Sequence, residues 1–570
     1  MKHRHATPAR RSSGRVRWQG LGIGLVCVVV AGCASGQSIL NAGNDVTTTG
    51  LSLTSTSVGA PGVGTTINLS AGQQVPTTIS LIGTTIPLGA PTATTLQLVA
   101  TTVAQATTTA SRAAAAPSGF DAAPGVTVPL ANEFEPCPVE VLEAADEPVE
   151  LVFWHAMNAT NEDALTTLTE AYNSSQDRVV VELRNQTGYN ELVDKYFQSS
   201  DDDRPDLVQM PEFMTQQMAD SDTVVPAGLC IQTSGYELEP FLDRGLLAYQ
   251  TEGIQWSMPF NISGPVLFYN QVDFEAAGLD PDVPPLSLED LRESSQAIVD
   301  SGAATYGIAF DTGVDSGGGW FLEQWFARMG LPYSDNGNGR IAPSTEVLFN
   351  TPEGVDLLTY VQDLVGDGLA MTVGDNPQGI DVLLKLADPA QPAAMGIATS
   401  AGLGTVLEVV EGGLIEGITV DDIGVGPMPG PSDAPSAIIG GASLYVVAGK
   451  GDVTTAAAWD FVQYLVSAET QSTWASLTGY VPVREDAIEL EPLASTYVDD
   501  PRFRVAYDQL LANADDFSSV GPVLGPLRQV REVTAQMMAD IFGGADVATA
   551  LDAAATQANL LIIDYTSRND

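Results

Sequence analysis

Residues 259–270 read PFNISGPVLFYN, and their character changes abruptly within that short span. Val266 to Tyr269 have the apolar, partly aromatic texture of a buried strand. Immediately before them stand Asn261, Ser263, Gly264 and Pro265, residues that interrupt strands or turn chains. A core strand that begins with polar side chains inside an apolar run suits a chain crossing between two lobes. The strand would then pass the floor of a cleft.

The flanking sequence supplies material for two such lobes. VELVFW (149–154) reads as a strand, and NEDALTTLTEAYN (161–173) sets Leu165, Leu168 and Tyr172 on one helical face. RVVVELRN is a strand again, YNELVDKYF a helix and DLVQM a third strand. This alternation predicts an α/β lobe with a largely parallel sheet. It recurs after PVLFYN and gives way to helices near the C-terminus. One of them, TTAAAWDFVQYLV, carries Trp459, Val462 and Val466 at helical spacing, and the helical segment ends in LTGY at Gly479. Two α/β lobes of ordinary size fill residues 140–570.

The N-terminal part has another texture. Lys2, Arg4, Arg10, Arg11, Arg15 and Arg17 precede the apolar run LGIGLVCVVVAGC, the pattern of a secretory signal. The run is short for a membrane span. VVAGC resembles a bacterial lipobox, in which Cys33 is acylated and becomes the mature N-terminus; simple secretion or a retained anchor is the alternative. Residues 34–131 are rich in Thr, Ser, Ala, Gly and Val, with Asp45, Arg112 and Asp121 as their only charges. They read as a long, mostly disordered tether with room for a few weak strands.

Composition narrows the partners. Six of the 23 basic residues lie in the signal, which leaves 17 against 71 acidic residues and a net charge of −54. Such a surface repels nucleic acid and anionic lipid, so an anionic ligand needs a local cationic site. Cys27 and Cys33 belong to the signal region. Cys137 and Cys230 are an even pair in an exported chain and predict one disulfide, with two separate buried thiols as the alternative.

Catalytic and metal motifs are weak. The chain beyond the signal has one histidine, His155, and no second ligand at metal-like spacing beside it. DNGNGRIAPSTE (335–346) imitates a calcium loop but puts Gly337 and Gly339 where oxygen ligands are needed and Arg340 where glycine belongs. DDDRPD (201–206) reads as a solvated turn. GGGW (317–320) and IIGGAS (438–443) lack the context of nucleotide loops and mark places where backbone approaches something closely. No enzyme, metal or cofactor chemistry is indicated.

Seven stretches carry a resemblance in register: VFWHAMN, TGYNELVDKY, DLVQMPE, PFNISGPVLFYNQVDFEAAGLDP, AIIGGASLYVV, TGYVPV and LGPLRQVRE. From about residue 149 onward the chain resembles a family 1 extracellular solute-binding protein of bacterial ABC importers. It is most similar to the branch that binds glycerol-3-phosphate and glycerophosphodiesters. The resemblance implies a two-lobed periplasmic-binding-protein-like α/β fold over 132–570, with discontinuous lobes. One lobe takes about 145–260 and 440–482, the other about 264–437 and 484–570, joined by hinge crossovers at PFNISG and AIIGGAS. Together with the lipobox at Cys33, it implies a monomer, lipid-anchored at the outer face of the cytoplasmic membrane, that delivers its solute to permease subunits with a cytoplasmic ATPase.

The same resemblance implies a set of site residues. Arg531 matches the family's phosphate-binding arginine, whereas Arg528 is a neighbouring charge. Ser263, the Gly441 N–H and Tyr480 match other phosphate contacts, and Tyr189 matches a donor from the opposite lobe. Thr399, with Ser400 adjacent, stands for the family's serine, and Glu212 for the acid that meets the glycerol hydroxyls. The branch's paired tryptophans are reduced to Trp320, with Gly317 in the place of the first. Gly317 is therefore expected to open space for a bulkier phosphodiester, and a choline head group could rest on Trp320, Trp325 or Trp154. A carbohydrate-binding protein of the same fold is the alternative, with Arg531 turned elsewhere.

Deletion of residues 40–128 is expected to leave solute affinity unchanged, because a nearly uncharged tether contributes no pocket residue. Calorimetric titration of the truncated protein checks this; a large loss of affinity or thermal stability would reveal a structured element.

Overall fold

The computed structural model describes residues 78–81, 84–87, 134, 137–376, 379–415, 417–432, 436–512 and 517–569. The signal segment with Cys33, and the tether apart from two strands, lie outside the described residues. Those strands, Thr78–Leu81 and Thr84–Pro87, pair antiparallel with Thr78 opposite Pro87. They belong to a unit, residues 1–113, separate from residues 114–570.

The larger unit contains two mixed sheets. The first orders its strands as Val179–Asn185, Val149–His155, Leu207–Pro211, Gly440–Val447 and Val224–Val225, and Met258–Ser263 also pairs with Gly440–Val447. The second runs Ala370–Thr372, Tyr306–Phe310, Ala393–Thr399, Pro265–Asn270 and Ile423–Pro427. Strands linked by helices pair in parallel, as 149–155 does with 179–185. The strands that enter from the other lobe run antiparallel: Gly440–Val447 against Leu207–Pro211, and Pro265–Asn270 against Ala393–Thr399. The expectation of largely parallel sheets is corrected for this reason.

PFNIS (259–263) is strand rather than turn. Met258–Ser263 is buried throughout in the first sheet, and one residue later Pro265–Asn270 is buried in the second. Gly264 alone separates them, held by its carbonyl accepting from Ser400 N at 2.8 Å. Ser263 lies opposite Gly440, where the second crossing arrives. Gly441 has φ +96°, and a Cβ there would stand 2.0 Å from the Asn261 carbonyl oxygen. Only glycine lets the two crossovers lie that close.

The return to the second lobe comes later than residue 484. Val481 donates to the Ile262 carbonyl, and the following segment still packs on the first lobe. The Ser472 hydroxyl donates to Leu490 O at 2.9 Å and accepts from Leu493 N at 3.1 Å. Second-lobe contacts begin near residue 502, where Arg502 Nη1 donates to Val420 O at 2.8 Å. The C-terminal helices Leu527–Phe542 and Val547–Asn569 finish that lobe.

Cys137 and Cys230 are joined by a disulfide across a sequence separation of 93. It ties the chain ahead of the first strand to helix Ala227–Ser234. In the chain-entropy model, closing such a loop stabilises by about 4–5 kcal/mol. The double variant Cys137→Ser/Cys230→Ser is expected to lose stability up to that amount in denaturant titrations while keeping its solute affinity.

Candidate functional site

Helix Leu527–Phe542 buries Leu527, Val530, Arg531 and Thr534, one stripe at helical spacing. That stripe carries a guanidinium into the interior, where it must be paired. Arg531 Nε and Nη2 donate to the two carboxylate oxygens of Glu323, each at 2.7 Å. Nη1 donates to Glu212 Oε1 at 2.9 Å. Glu323 belongs to second-lobe helix Trp320–Arg328, whereas Glu212 directly follows first-lobe strand Leu207–Pro211. The ion pair with Glu212 therefore bridges the lobes.

Burial alone would lower the Arg531 pKa, but the charges of Glu323, Glu212 and Asp315 together hold it above its ordinary value. Burial pushes the Glu212 carboxyl up to about 7, against the pull of Arg531. Glu212 therefore holds its proton to a higher pH than an ordinary carboxyl.

A neutral chain of hydrogen bonds lies beside the charges. Ala156 N donates to Gln209 Oε1 and Gln209 Nε2 to Asn261 Oδ1, both at 2.8 Å; Asn261 Nδ2 reaches the Tyr189 hydroxyl at 2.9 Å. Tyr480 lies close enough to the Tyr189 hydroxyl to influence its ionisation, its own hydroxyl meets Met157 Sδ at 3.9 Å, and its ring stacks on Trp474 at 5.4 Å. Tyr189, Glu212, Ser263, Gly441, Tyr480 and Arg531 thus lie along one interlobe seam. Ser400 touches the hinge, its hydroxyl accepting from Gly264 N at 3.3 Å, whereas the Thr399 hydroxyl accepts from Ala401 N. Trp320 is buried on the second crossover: its indole N–H donates to Ile439 O at 3.3 Å, and its ring fills the space a Cβ on Gly440 would need.

Gly317 does not open the cleft. Its N–H donates to Asp311 Oδ1 at 2.8 Å, and a Cβ there would lie 2.1 Å from the Asp311 carbonyl oxygen. Backbone packing inside the second lobe requires glycine, so the space expected beside the solute is absent at this position. Arg528 bridges the lobes by pairing with Asp194 at 2.6 Å. Trp325 is held in the second lobe through Pro429 O, and Trp154 lies under Lys195.

Glu323 escaped the sequence reading, whereas Asn261 figures there only as a polar residue of the crossing and Arg340 only as a misfit in the calcium-like loop. Glu323 follows Trp320 by less than one helical turn, a spacing that could have flagged it. Together with Arg531, Glu212, Ile438, Ile439 and Gly521, the residues Glu323 and Arg340 line a cavity of about 10 Å³. That is room for roughly one water, whereas small-molecule sites run to about 300–1,000 Å³. The lobes must separate to admit a solute. His155 is kept neutral by burial, which lowers its pKa to about 4. Among the described residues, no group of three or more His, Cys, Asp or Glu side chains is placed to hold a metal.

Residues 167–504 match the model of a family described as bacterial extracellular solute-binding protein. The chain is 29% identical over 431 residues to the sn-glycerol-3-phosphate-binding periplasmic protein UgpB of Rhizobium meliloti, covering 73% of this chain and 95% of that one. Among solved structures, UgpB from Mycobacterium tuberculosis in complex with glycerophosphocholine superimposes with a TM-score of 0.60 at 21% identity, over 74% of this chain and 99% of the other. The cyclic alpha-maltosyl-1,6-maltose binding protein from Arthrobacter globiformis gives 0.59 at 23% identity, over 73% and 99%. These two likenesses are of fold.

The raised Glu212 pKa has a measurable sign. The folded protein holds this proton more tightly than the unfolded chain, so the stability Glu212 contributes is full below its ordinary pKa of 4.5 and is lost as pH rises through about 7. Glu212→Gln is expected to remove that component, up to about 1.4 kcal/mol per pH unit, from stability measured by denaturation between those limits.

Proposed function

The chain belongs to the bacterial extracellular solute-binding proteins, and on that premise we propose that it captures a glycerophosphodiester or glycerol-3-phosphate between its lobes. It then hands the solute to the permease of an ABC importer. The observation that carries this reading is the interlobe position of Arg531. A guanidinium on the second lobe meets a carboxylate of the first at 2.9 Å, beside Tyr189 and Tyr480. Charge-assisted donors of this kind bind phosphate oxygens strongly. Opening the lobes breaks the Glu212 contact and frees Nη1, while Glu323 keeps the guanidinium oriented. Glu212 is then available to the glycerol hydroxyls, and the relative from Rhizobium meliloti supports the same solute class.

Acylation at Cys33, with residues 34–131 as the tether, would keep the protein at the outer face of the membrane, as a monomer within reach of its permease. Ser263, Ser400 and the Gly441 N–H supply the short donors at the hinge, and Trp320 backs the second crossover. Thr399 acts through the turn it caps.

One observation favours a second reading, a carbohydrate solute. In the closed arrangement three guanidinium nitrogens of Arg531 are bonded to carboxylates. Glu212, Tyr189 and Tyr480 would then serve sugar hydroxyls, as in a fold shared with a maltosyl-maltose binder.

Titration calorimetry with glycerophosphocholine, glycerol-3-phosphate and maltooligosaccharides separates the two. Micromolar or tighter binding of the phosphate esters is expected, with compaction in small-angle scattering as the lobes close. Arg531→Ala is expected to weaken phosphate-ester binding by about 30- to several-thousand-fold, the range for truncating one partner of a buried charged pair. Binding of maltooligosaccharides alone would transfer the assignment to sugars.

A further inference from the structure

The cavity beneath the seam is lined by two arginines whose electrostatic situations differ. Arg531 is matched by Glu323 and Glu212. Arg340 is buried yet bonded entirely to backbone carbonyls. Its Nη1 donates to Leu247 O at 2.6 Å, Ala248 O at 3.2 Å and Gln250 O at 2.9 Å, all in the first lobe. Its Nη2 donates to Val520 O and Gly521 O of the second lobe, at 3.3 and 3.2 Å. Among the described residues no carboxylate pairs with it, and its Nε is buried without a hydrogen-bond partner. The Tyr249 hydroxyl, which senses the charges of both Glu212 and Arg340, is likewise buried and unpartnered.

The loop that delivers Arg340 is built for the purpose. It is the stretch that imitates a calcium loop in sequence, and its irregular residues serve a turn instead of a metal. Asn336, Gly337, Asn338 and Gly339 all have positive φ. A Cβ on Gly339 would stand 2.0 Å from the Val523 carbonyl oxygen. Val523 N donates to Asn338 O at 2.8 Å, which locks the loop against the segment that Nη2 grips. The guanidinium is thereby aimed inward from a fixed base on the second lobe.

We infer that Arg340 is a second cationic anchor of the solute site, receiving the solute's phosphate when the lobes part and holding it as they close. This rests on the phosphate-ester reading proposed above. Separation of the lobes removes the three first-lobe carbonyls from Nη1 and leaves that nitrogen free to donate to a solute. Carbonyl oxygens are neutral dipoles, and a phosphate oxygen makes a stronger, charge-assisted bond. The solute would thus replace weaker acceptors at Arg340, while at Arg531 it must compete with two carboxylates. Burial without a counter-charge lowers the Arg340 pKa to about 9, the direction expected of a cation that lacks its anion.

The test compares the parent protein with Arg340→Gln and Arg340→Lys, titrating each with glycerophosphocholine and glycerol-3-phosphate. Arg340→Gln is expected to weaken both by about 30-fold or more, as for loss of one partner of a desolvated charge pair. Arg340→Lys keeps a cation but cannot span five carbonyls, and should retain affinity within about tenfold of the parent. Unchanged affinity in Arg340→Gln overturns the inference. Equal losses in both variants also overturn it, since they mark a structural clamp. A crystal structure of the parent with glycerophosphocholine decides the matter should a variant fail to fold. A phosphate oxygen at about 2.7–2.9 Å from Arg340 supports the anchor, and a phosphate beyond hydrogen-bond reach removes it. A parent that binds no phosphate ester overturns the underlying reading, and the anchor with it.

Discussion

A guanidinium buried between two carboxylates organises the junction of this protein. Desolvating an ion is expensive, and removing one partner of a buried pair typically costs about 3–5 kcal/mol. Arg531 therefore requires Glu323 in the same lobe whatever the lobes do, and the bidentate fork fixes its direction. Glu212 is the optional partner. It comes from the other lobe, retains some exposure at 15% of its side chain, and sits near its protonation point. A permanent pair and a conditional pair on one side chain give closure a specific polar contact without tying the open form to it.

The field of the whole molecule makes this arrangement necessary. With acidic residues in large excess, an anion approaches against a repulsive surface potential. Only charges inside a low-dielectric seam can reverse that locally. Further interlobe contacts line the same seam: Arg528 with Asp194, and the Tyr565 hydroxyl with Asp220 at 2.7 Å. They lie nearer the surface, where such contacts are worth less.

Much of this was legible in the chain. Strands such as Val149–His155 and helices such as Tyr189–Gln198 follow from local periodicity, and the polar entry to PVLFYN marks the crossing. The family motifs locate Tyr189, Glu212, Tyr480 and Arg531 because each sits in a recognisable run of neighbours. What remained hidden depends on distant contacts. Glu323 is an ordinary helical acid until Arg531, 208 residues later, is folded against it. Gly317 reads as a vacancy because the residue it would strike, Asp311, acts through its backbone carbonyl. Arg340 stays hidden because its loop imitates a metal site in sequence, whereas its partners are carbonyls that sequence cannot single out. The placement of 485–499 on the first lobe rests on distant partners such as Pro240, which accepts from Glu485 N, and Ser472, bonded to Leu490 and Leu493.

The disulfide has a mechanical meaning as well as a thermodynamic one. Cys137 is the point at which tension from any upstream anchorage would enter the folded domain. Its covalent partner sits in helix Ala227–Ser234, so a pull on the chain is carried directly into that helix. The load bypasses strand Val149–His155, which would otherwise be the first element peeled from the sheet.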